Sequence, residues 1–325
     1  MKYASVCSGV EAASLAWMPL GWEAAWFSEI DPFPCAVLKE RFPTVPNLGD
    51  MTKIKMERME NESQKFTGSD GSTVIVPGRV DLLVGGTPCQ GFSCAGKHGG
   101  LHDERSSLCL SYIRLLDAVR PRWFVFENVP GVFSTNGGKD FRSFLSKIDE
   151  IGYSASWTVL DAQYIRVPRF PRAVPQRRRR VFVVGHIGGW RGPAEVLFEQ
   201  KNVDDMDKTY EPPTRKNSSP GLCGVATLCC NAEMIPDCAP CLVESADSMY
   251  AGFTDGKTFR RYTPVECERL MGFPDNWTRI SWKGKPEEEC PDGLRYKACG
   301  NSMCVNVMSW LGMRIDLVDR KFSRY

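Results

Sequence analysis

Two residues in this chain have the chemical type and setting of groups held for use. Cys89 lies in Gly85-Gly86-Thr87-Pro88-Cys89-Gln90-Gly91-Phe92-Ser93, directly after an apolar, strand-like run, Val80–Gly85. Core cysteines do not ordinarily sit in a glycine-flanked loop stiffened by proline, so the thiol is a candidate nucleophile. Glu127 ends a second apolar run, Trp123-Phe124-Val125-Phe126, and leads into Asn128-Val129-Pro130. If the two runs are neighbouring strands of one sheet, thiol and carboxyl reach the same carboxyl edge, where open α/β sheets bind ligands. They can then converge on one ligand.

A second set of residues has cofactor spacing. Cys7-Ser8-Gly9-Val10-Glu11-Ala12 turns from a first strand into a helix. A dinucleotide fingerprint needs further glycines so that backbone can approach a pyrophosphate, but Glu11 and Ala12 stand in those places, which favours an adenosine cofactor without one. Glu29 follows Gly9 by 20 residues at the end of a second strand, the spacing of a carboxylate that binds ribose. A solvated strand-end carboxylate is the alternative. Asp50, in Gly49-Asp50-Met51 after a third short strand, can accept from an adenine amino group.

Charge adds a third feature. The 325-residue chain carries a net charge of only +2, yet residues 162–191 hold eight arginines (166, 169, 172, 177, 178, 179, 180 and 191) and no Asp, Glu or Lys. Such a block is either a solvated face or a surface for polyanions. Conversely, residues 217–256 carry five acids and no Lys or Arg, a local charge of −5.

Strand-like runs alternating with helical segments over the first ~190 residues call for a parallel sheet with helices on both faces. The expected strands are Tyr3–Val6, Ala24–Ser28, Val80–Gly85, Trp123–Phe126, Ser156–Leu160 and Arg180–Gly185. Asp31-Pro32 reads as a helix start, Ser106–Val119 as a helix, Thr263-Pro264-Val265-Glu266 as a capping box closed by Gly272, and Asn301–Met313 as the last helix. The expected layout is an α/β domain over 1–187, a small irregular domain over 188–262, and a segment over 263–325 that returns to the first. Residues 51–79 read as a surface insertion with a short hairpin.

Apolar content of 42% and charged content of 25% exclude long disorder and a membrane bundle. The beginning of the chain lacks a secretory pattern, so a cytoplasmic location is expected. Fourteen cysteines are too few for a disulfide scaffold. Cys223, Cys229, Cys230, Cys238 and Cys241 include one CxxC, Cys238-Ala239-Pro240-Cys241, without a second pair at zinc-site spacing, so no metal is expected.

In motif order the chain resembles the DNA cytosine-C5 methyltransferases of bacterial and phage type. CSGVEA, SEID, GD, GGTPCQGFS, FENV, QRRRR, RRYTPVECERLMGFPDNW and YKACGNSM match the family's motifs from residue 3 to 313, outside the insertion and the small domain. The resemblance makes 1–187 the catalytic domain and 188–262 the target-recognition domain. It implies a Rossmann-like α/β sheet and S-adenosyl-L-methionine as cofactor, bound by Ser8, Gly9, Glu29, Ile30, Asp50, Asn301 and Ser302. It makes Cys89 the nucleophile that adds to C6 of a flipped-out cytosine, with Pro88 fixing the loop. Glu127 acts at N3 with Asn128 as its buttress, Arg178 and Arg180 contact base and catalytic loop, and the remaining arginines bind phosphates. Implied partners are double-stranded DNA and a cognate restriction endonuclease, with one chain sufficient for turnover. Glu11, Ala12 and the long Ile165–Val174 segment depart from the pattern; the latter reads as an extra basic DNA-facing loop. A tRNA cytosine-C5 methyltransferase and a non-catalytic DNA-binding relic remain alternatives.

Overall fold

The computed structural model describes residues 1–87, 108–198, 226–228, 234–236, 242, 252–254 and 259–322. Pro88, Cys89 and the five cysteines considered for zinc lie outside the described residues. In chain order, β1 (Lys2–Val6) and β2 (Glu23–Ser28) precede a small sheet of β3 (Lys55–Arg58), β4 (Gln64–Thr67) and β5 (Thr73–Val76). β6 (Leu82–Gly85), β7 (Trp123–Asn128), β8 (Ser154–Asp161) and β9 (Arg179–His186) complete a main sheet of order β2-β1-β6-β7-β9-β8.

All six strands expected for the main sheet are present, but the sheet is mixed. β2, β1, β6 and β7 are parallel, whereas β9 is antiparallel to both β7 and β8. The connections explain this. Helix α4 (Lys139–Glu150) lies between β7 and β8 and lets β8 run in the direction of β7, while β8 reaches β9 through residues 162–178 without an α-helix. β8 therefore ends, and β9 begins, at the edge where β7 delivers Glu127.

Helices cover both faces. Trp17 of α1 (Ala12–Trp17), Val37 of α2 (Pro32–Arg41), Val196 of α5 (Arg191–Leu197) and Met308 of α8 (Val305–Phe322) belong to one buried cluster. Ile113 of α3 (Leu108–Val119) and Phe144 of α4 belong to the other. α8 lies close against α1: the Trp17 indole N–H donates to the Met308 carbonyl at 2.8 Å, and a Cβ on Gly312 would collide with the Trp17 ring.

Capping signals act as read. Asp31 accepts from Phe33 N at the start of α2. Thr263 and Glu266 cap α6 (Pro264–Met271) reciprocally, and Gly272 ends it at φ 83°. The C-terminal helices differ from expectation: Asn301 closes α7 (Asp292–Asn301), and the last helix begins at Val305 and runs to Phe322. The insertion also differs, with three strands where a short hairpin was expected. Phe66 and Gln64 are buried, and the Gln64 amide donates to the Val119 carbonyl at 2.8 Å. Farther on, β10 (Ala226–Leu228), β11 (Met234–Pro236), β12 (Gly252–Thr254) and β13 (Phe259–Arg261) form an antiparallel sheet, β11-β10-β12-β13, in a region that reads as irregular. No helix among the described residues is long and apolar enough to cross a membrane.

Candidate functional site

A cavity of about 490 Å³ opens at the carboxyl edge of the main sheet, within the ~300–1,000 Å³ usual for small-ligand sites. Its lining includes Gly9, Glu29, Ile30, Asp50, Glu127, Asn128, Arg178, Arg180 and Asn301. The topology thus brings together nine of the residues selected from sequence. Ser8 and Ser302 are absent from the lining. The Ser8 hydroxyl donates to the Ser5 carbonyl at 2.9 Å and accepts from Ser28 N, tying the ends of β1 and β2. Ser302 offers its carbonyl to Arg178.

The turn after β1 requires unusual backbone. Cys7, Gly9 and Glu11 all have positive φ, near 50°, 56° and 62°. Glu11 tolerates this because its buried carboxylate caps α1, accepting from Ser14 N at 2.9 Å and from the Ser14 hydroxyl. Burial raises its pKa, opposed by the Ser14 hydrogen bonds. The Cys7 thiol, also on the cavity wall, is pushed up to about 12 by burial and by the charges of Glu29 and Asp50, which leaves it an inert thiol.

Glu29 is fixed by backbone. Its Oε2 accepts from Gly9 N and its Oε1 from Ile30 N and Asp31 N, each at 2.8 Å. Both lone pairs of Oε1 are thereby engaged, whereas Oε2 retains one for a sugar hydroxyl. Ile30 stands 71% exposed beside it, an apolar surface for a planar base. Asp50 accepts from Thr52 N and the Thr52 hydroxyl. Burial alone would raise its pKa, but those bonds and Lys53 outweigh it and hold the carboxylate below its usual range.

Asn47 was not selected from sequence. Its side-chain oxygen accepts from Glu29 N at 2.9 Å and Gly49 N at 3.2 Å, while its amide donates to the Glu29 carbonyl at 3.1 Å. One side chain therefore couples the Glu29 and Asp50 loops. The third short strand is reduced to a single bridge, Phe27 to Asn47. Lys297 of α7, likewise unselected, lines the cavity and pairs with Asp31 at 2.8 Å. Asn47 sits two residues before Gly49-Asp50, but an isolated Asn has no distinguishing pattern. Lys297 is close to Asp31 only because α7 packs on α2.

At the other end, Glu127 faces Arg180, with Oε1 and Nε 3.0 Å apart and about 15% of each side chain exposed. Burial raises the Glu127 pKa, outweighing the opposing charges of Arg180 and Arg178. A carboxyl that readily holds its proton beside a guanidinium can donate to a ring nitrogen. Gly86 allows this packing, since a Cβ there would meet Glu127 Oε2 at 2.8 Å.

Two of these residues also tie segments of the site together. Asn128 Nδ2 donates to the Thr87 carbonyl at 3.3 Å, and Asn128 Oδ1 accepts from Val129 N. It thereby ties the end of β7 to Thr87, which follows β6. Arg178 is buried and donates to three carbonyls: Leu242 at 2.7 Å, Gly300 at 2.9 Å and Ser302 at 2.7 Å. Those bonds join β9 to Leu242 and to the end of α7. Gln176 reinforces that joint, donating to the Leu270 carbonyl at 3.0 Å. Among the described residues no group of three or more His, Cys, Asp or Glu side chains could hold a metal ion.

A family model described as C-5 cytosine-specific DNA methylase matches residues 1–220 and 198–316. Among curated relatives, a protein of Escherichia phage P1 named DNA N-6-adenine-methyltransferase is 31% identical over 96% of this chain; the chain spans 61% of that relative's length. Type II methyltransferase M2.BsuMI of Bacillus subtilis is 29% identical over 97% of this chain and 75% of its own. The fold is similar to that of a substituted Spodoptera frugiperda DNMT2 (TM-score 0.60, 16% identity, 97% of this chain and 99% of that one). It is equally similar to Entamoeba histolytica methyltransferase EhMeth (TM-score 0.61, 16% identity, 98% of each).

Proposed function

The chain belongs to the C-5 cytosine-specific DNA methylases, S-adenosylmethionine-dependent DNA methyltransferases, and we propose that it methylates C5 of a cytosine turned out of duplex DNA. The observation that carries this reading is Glu127, a carboxyl with a raised pKa, paired with Arg180 in the cavity that Glu29 and Asp50 enter from the other end. S-adenosylmethionine, when bound, supplies an electrophilic methyl group. Glu29 is suited to hold its ribose, Asp50 its adenine amino group and Ile30 the face of its base, with Gly9 and Asn301 lining the same wall.

C5 of cytosine is a poor nucleophile, so the ring needs activation. The Cys89 thiolate adds to C6, and Glu127 donates its proton or a hydrogen bond at N3, which makes C5 electron-rich in an enamine-like adduct. Arg180, beside Glu127, stabilises charge on the ring. After methylation, loss of the C5 proton expels the Cys89 thiolate and restores aromaticity. Stacking buries the target atom, so base extrusion is required at a cost of a few kcal/mol. One chain carries each of these groups and acts as a monomer on cytoplasmic DNA, with a restriction endonuclease of the same specificity as its companion.

The name of the phage P1 relative favours a second reading, methylation of adenine N6. An exocyclic amine carries its own nitrogen nucleophile and leaves a covalent thiol without a task. Expression in a host lacking DNA methylation, followed by mapping of both modified bases, separates the readings. We expect 5-methylcytosine at one short word and none with Cys89→Ser. N6-methyladenine alone, or turnover retained by Cys89→Ser, contradicts the proposal.

A further inference from the structure

The three strands of the insertion dock against the cavity wall that carries Asp50. Each polar backbone group of Leu48, Gly49 and Asp50 has a partner, and the partners come from different sides. From β2, the Phe27 carbonyl accepts from Leu48 N at 2.8 Å and the Ser28 hydroxyl donates to the Gly49 carbonyl at 2.6 Å. Gly49 N turns to the Asn47 side chain, and the Asp50 carbonyl accepts from Lys53 N at 3.0 Å. The Leu48 carbonyl and Asp50 N remain, and Ser69 takes both. Its backbone N–H donates to Leu48 at 2.9 Å, and its hydroxyl accepts from Asp50 N at 3.1 Å.

The contact is close enough to restrict residue type. A Cβ on Gly49, which has φ 72°, would collide with the Ser69 hydroxyl, and a Cβ on Gly68 would meet the Leu48 carbonyl oxygen at 2.8 Å. The turn that presents Ser69, between β4 and β5, is itself closed: Gly68 N donates to the Ser72 carbonyl at 2.8 Å, Gly71 N to the Gly68 carbonyl at 3.1 Å, and the Asp70 carboxylate accepts from Ser72 N at 2.9 Å. Beneath the turn the small sheet is anchored. Phe66 packs on Trp26 of β2 with ring centroids 5.1 Å apart, Gln64 accepts from Val80 N at 2.9 Å, and the Lys2 ammonium donates to the Pro77 carbonyl at 2.6 Å. Ser69 therefore reaches the Asp50 loop from a fixed base, and an acceptor held in place beforehand has less freedom to lose when a ligand binds.

We propose that Ser69 is a positioning residue for S-adenosylmethionine, through which the inserted sheet sets the Asp50 loop and hence the affinity for the adenine amino group. The proposal rests on the reading that Asp50 accepts from that group. Ser69 does not line the cavity and acts through Asp50. Because Ser69 is exposed, its hydrogen bonds compete with water, and the effect of losing one is moderate.

The test is calorimetric titration of the full chain with S-adenosylmethionine and with an analogue in which hydrogen replaces the adenine amino group, together with methyl-transfer kinetics. Ser69→Ala is expected to raise Kd and KM for S-adenosylmethionine about threefold, with kcat at saturating cofactor retained. Gly68→Ala, whose methyl pushes the turn off the Leu48 carbonyl, should raise them at least as much. Toward the analogue, wild type and Ser69→Ala should bind alike, and in an Asp50→Ala background Ser69→Ala should add nothing. Lys65→Ala, which removes an exposed ion pair with Glu57 on the same small sheet, leaves Kd in place. Unchanged affinity in Ser69→Ala, while Asp50→Ala weakens binding, overturns this proposal alone. An equal loss toward the analogue, or a fall in kcat at saturating cofactor, overturns it as well, since Ser69 would then act elsewhere than through Asp50. An Asp50→Ala variant that binds S-adenosylmethionine like the wild type overturns the adenine role of Asp50 and this proposal together, and leaves the cytosine chemistry standing.

Discussion

At the adenosine end of the cavity, three backbone N–H groups hold Glu29 and the Asn47 amide ties its strand to Gly49, so the acceptors are in place before any ligand arrives. At the base end, Glu127 and Arg180 answer each other 3.0 Å apart in a poorly hydrated setting, and an incoming base must rearrange that pair. In the proposed function the first arrangement serves binding, because it presents the same surface to ground state and transition state. In the proposed mechanism the second serves chemistry, because a carboxyl whose pKa is raised by burial strengthens its hydrogen bond as charge develops on the ring. Substitutions at the two ends should therefore separate cleanly into changes of KM and changes of kcat.

The largest effect expected is that of Cys89→Ser, which reduces methyl transfer to background while calorimetric binding of S-adenosylmethionine persists. Retained turnover would remove the covalent step. Next comes Glu127→Gln, with kcat lower by about 10²–10⁴ and an unaltered KM for the cofactor. Its pH profile sharpens the point. The pKa of Glu127 is raised, so the proton is kept to higher pH than on an ordinary glutamate, and a step that needs it slows as pH rises through that value. The wild-type profile should show this falling limb, and the Gln variant should lack it.

At the adenosine end, Glu29→Ala is expected to weaken S-adenosylmethionine binding about tenfold or more, as for a hydrogen bond to a charged group worth ~1.5–3 kcal/mol. Asn47→Ala, which loosens Glu29 indirectly, should raise KM for the cofactor about fivefold at ~1 kcal/mol, with kcat at saturation retained. A fall in kcat without a change in KM for either variant would erase the division between the ends. The smallest effect belongs outside the cavity: Thr263→Ala should cost about 1 kcal/mol of stability through the lost cap and leave both kinetic constants alone. Thermal or denaturant unfolding measures it.

How far the sequence disclosed this arrangement depends on the range of the interactions. Strand positions, the Asp31 cap and the Thr263–Glu266 box were legible because apolar runs and capping pairs act within a few residues. The reversal of β9 was not, since strand direction is set by what the connection packs against rather than by the strand's own pattern. Glu29 and Glu127 could be selected because each ends an apolar run beside a turn. The other partners of these groups come from distant segments: Lys297 meets Asp31, and Arg178 reaches Gly300 and Ser302, across more than a hundred residues of chain. Asn128 shows the same limit at short range, because its neighbour in sequence suggested Glu127 as its partner while the parallel register placed Thr87 within its reach.

A covalent adduct between Cys89 and C6 of the cytosine sets the proposed mechanism apart from direct transfer, and a duplex carrying 5-fluorocytosine at the methylated position traps it. After methyl transfer to such a base there is no C5 proton to lose, so the Cys89 bond cannot be expelled. Intact-mass and peptide analysis of protein incubated with that duplex and S-adenosylmethionine should show a stable one-to-one covalent complex attached at Cys89. Methylation of the unmodified duplex with no adduct on the fluorinated one, or an adduct at another cysteine, would rule out Cys89 as the nucleophile.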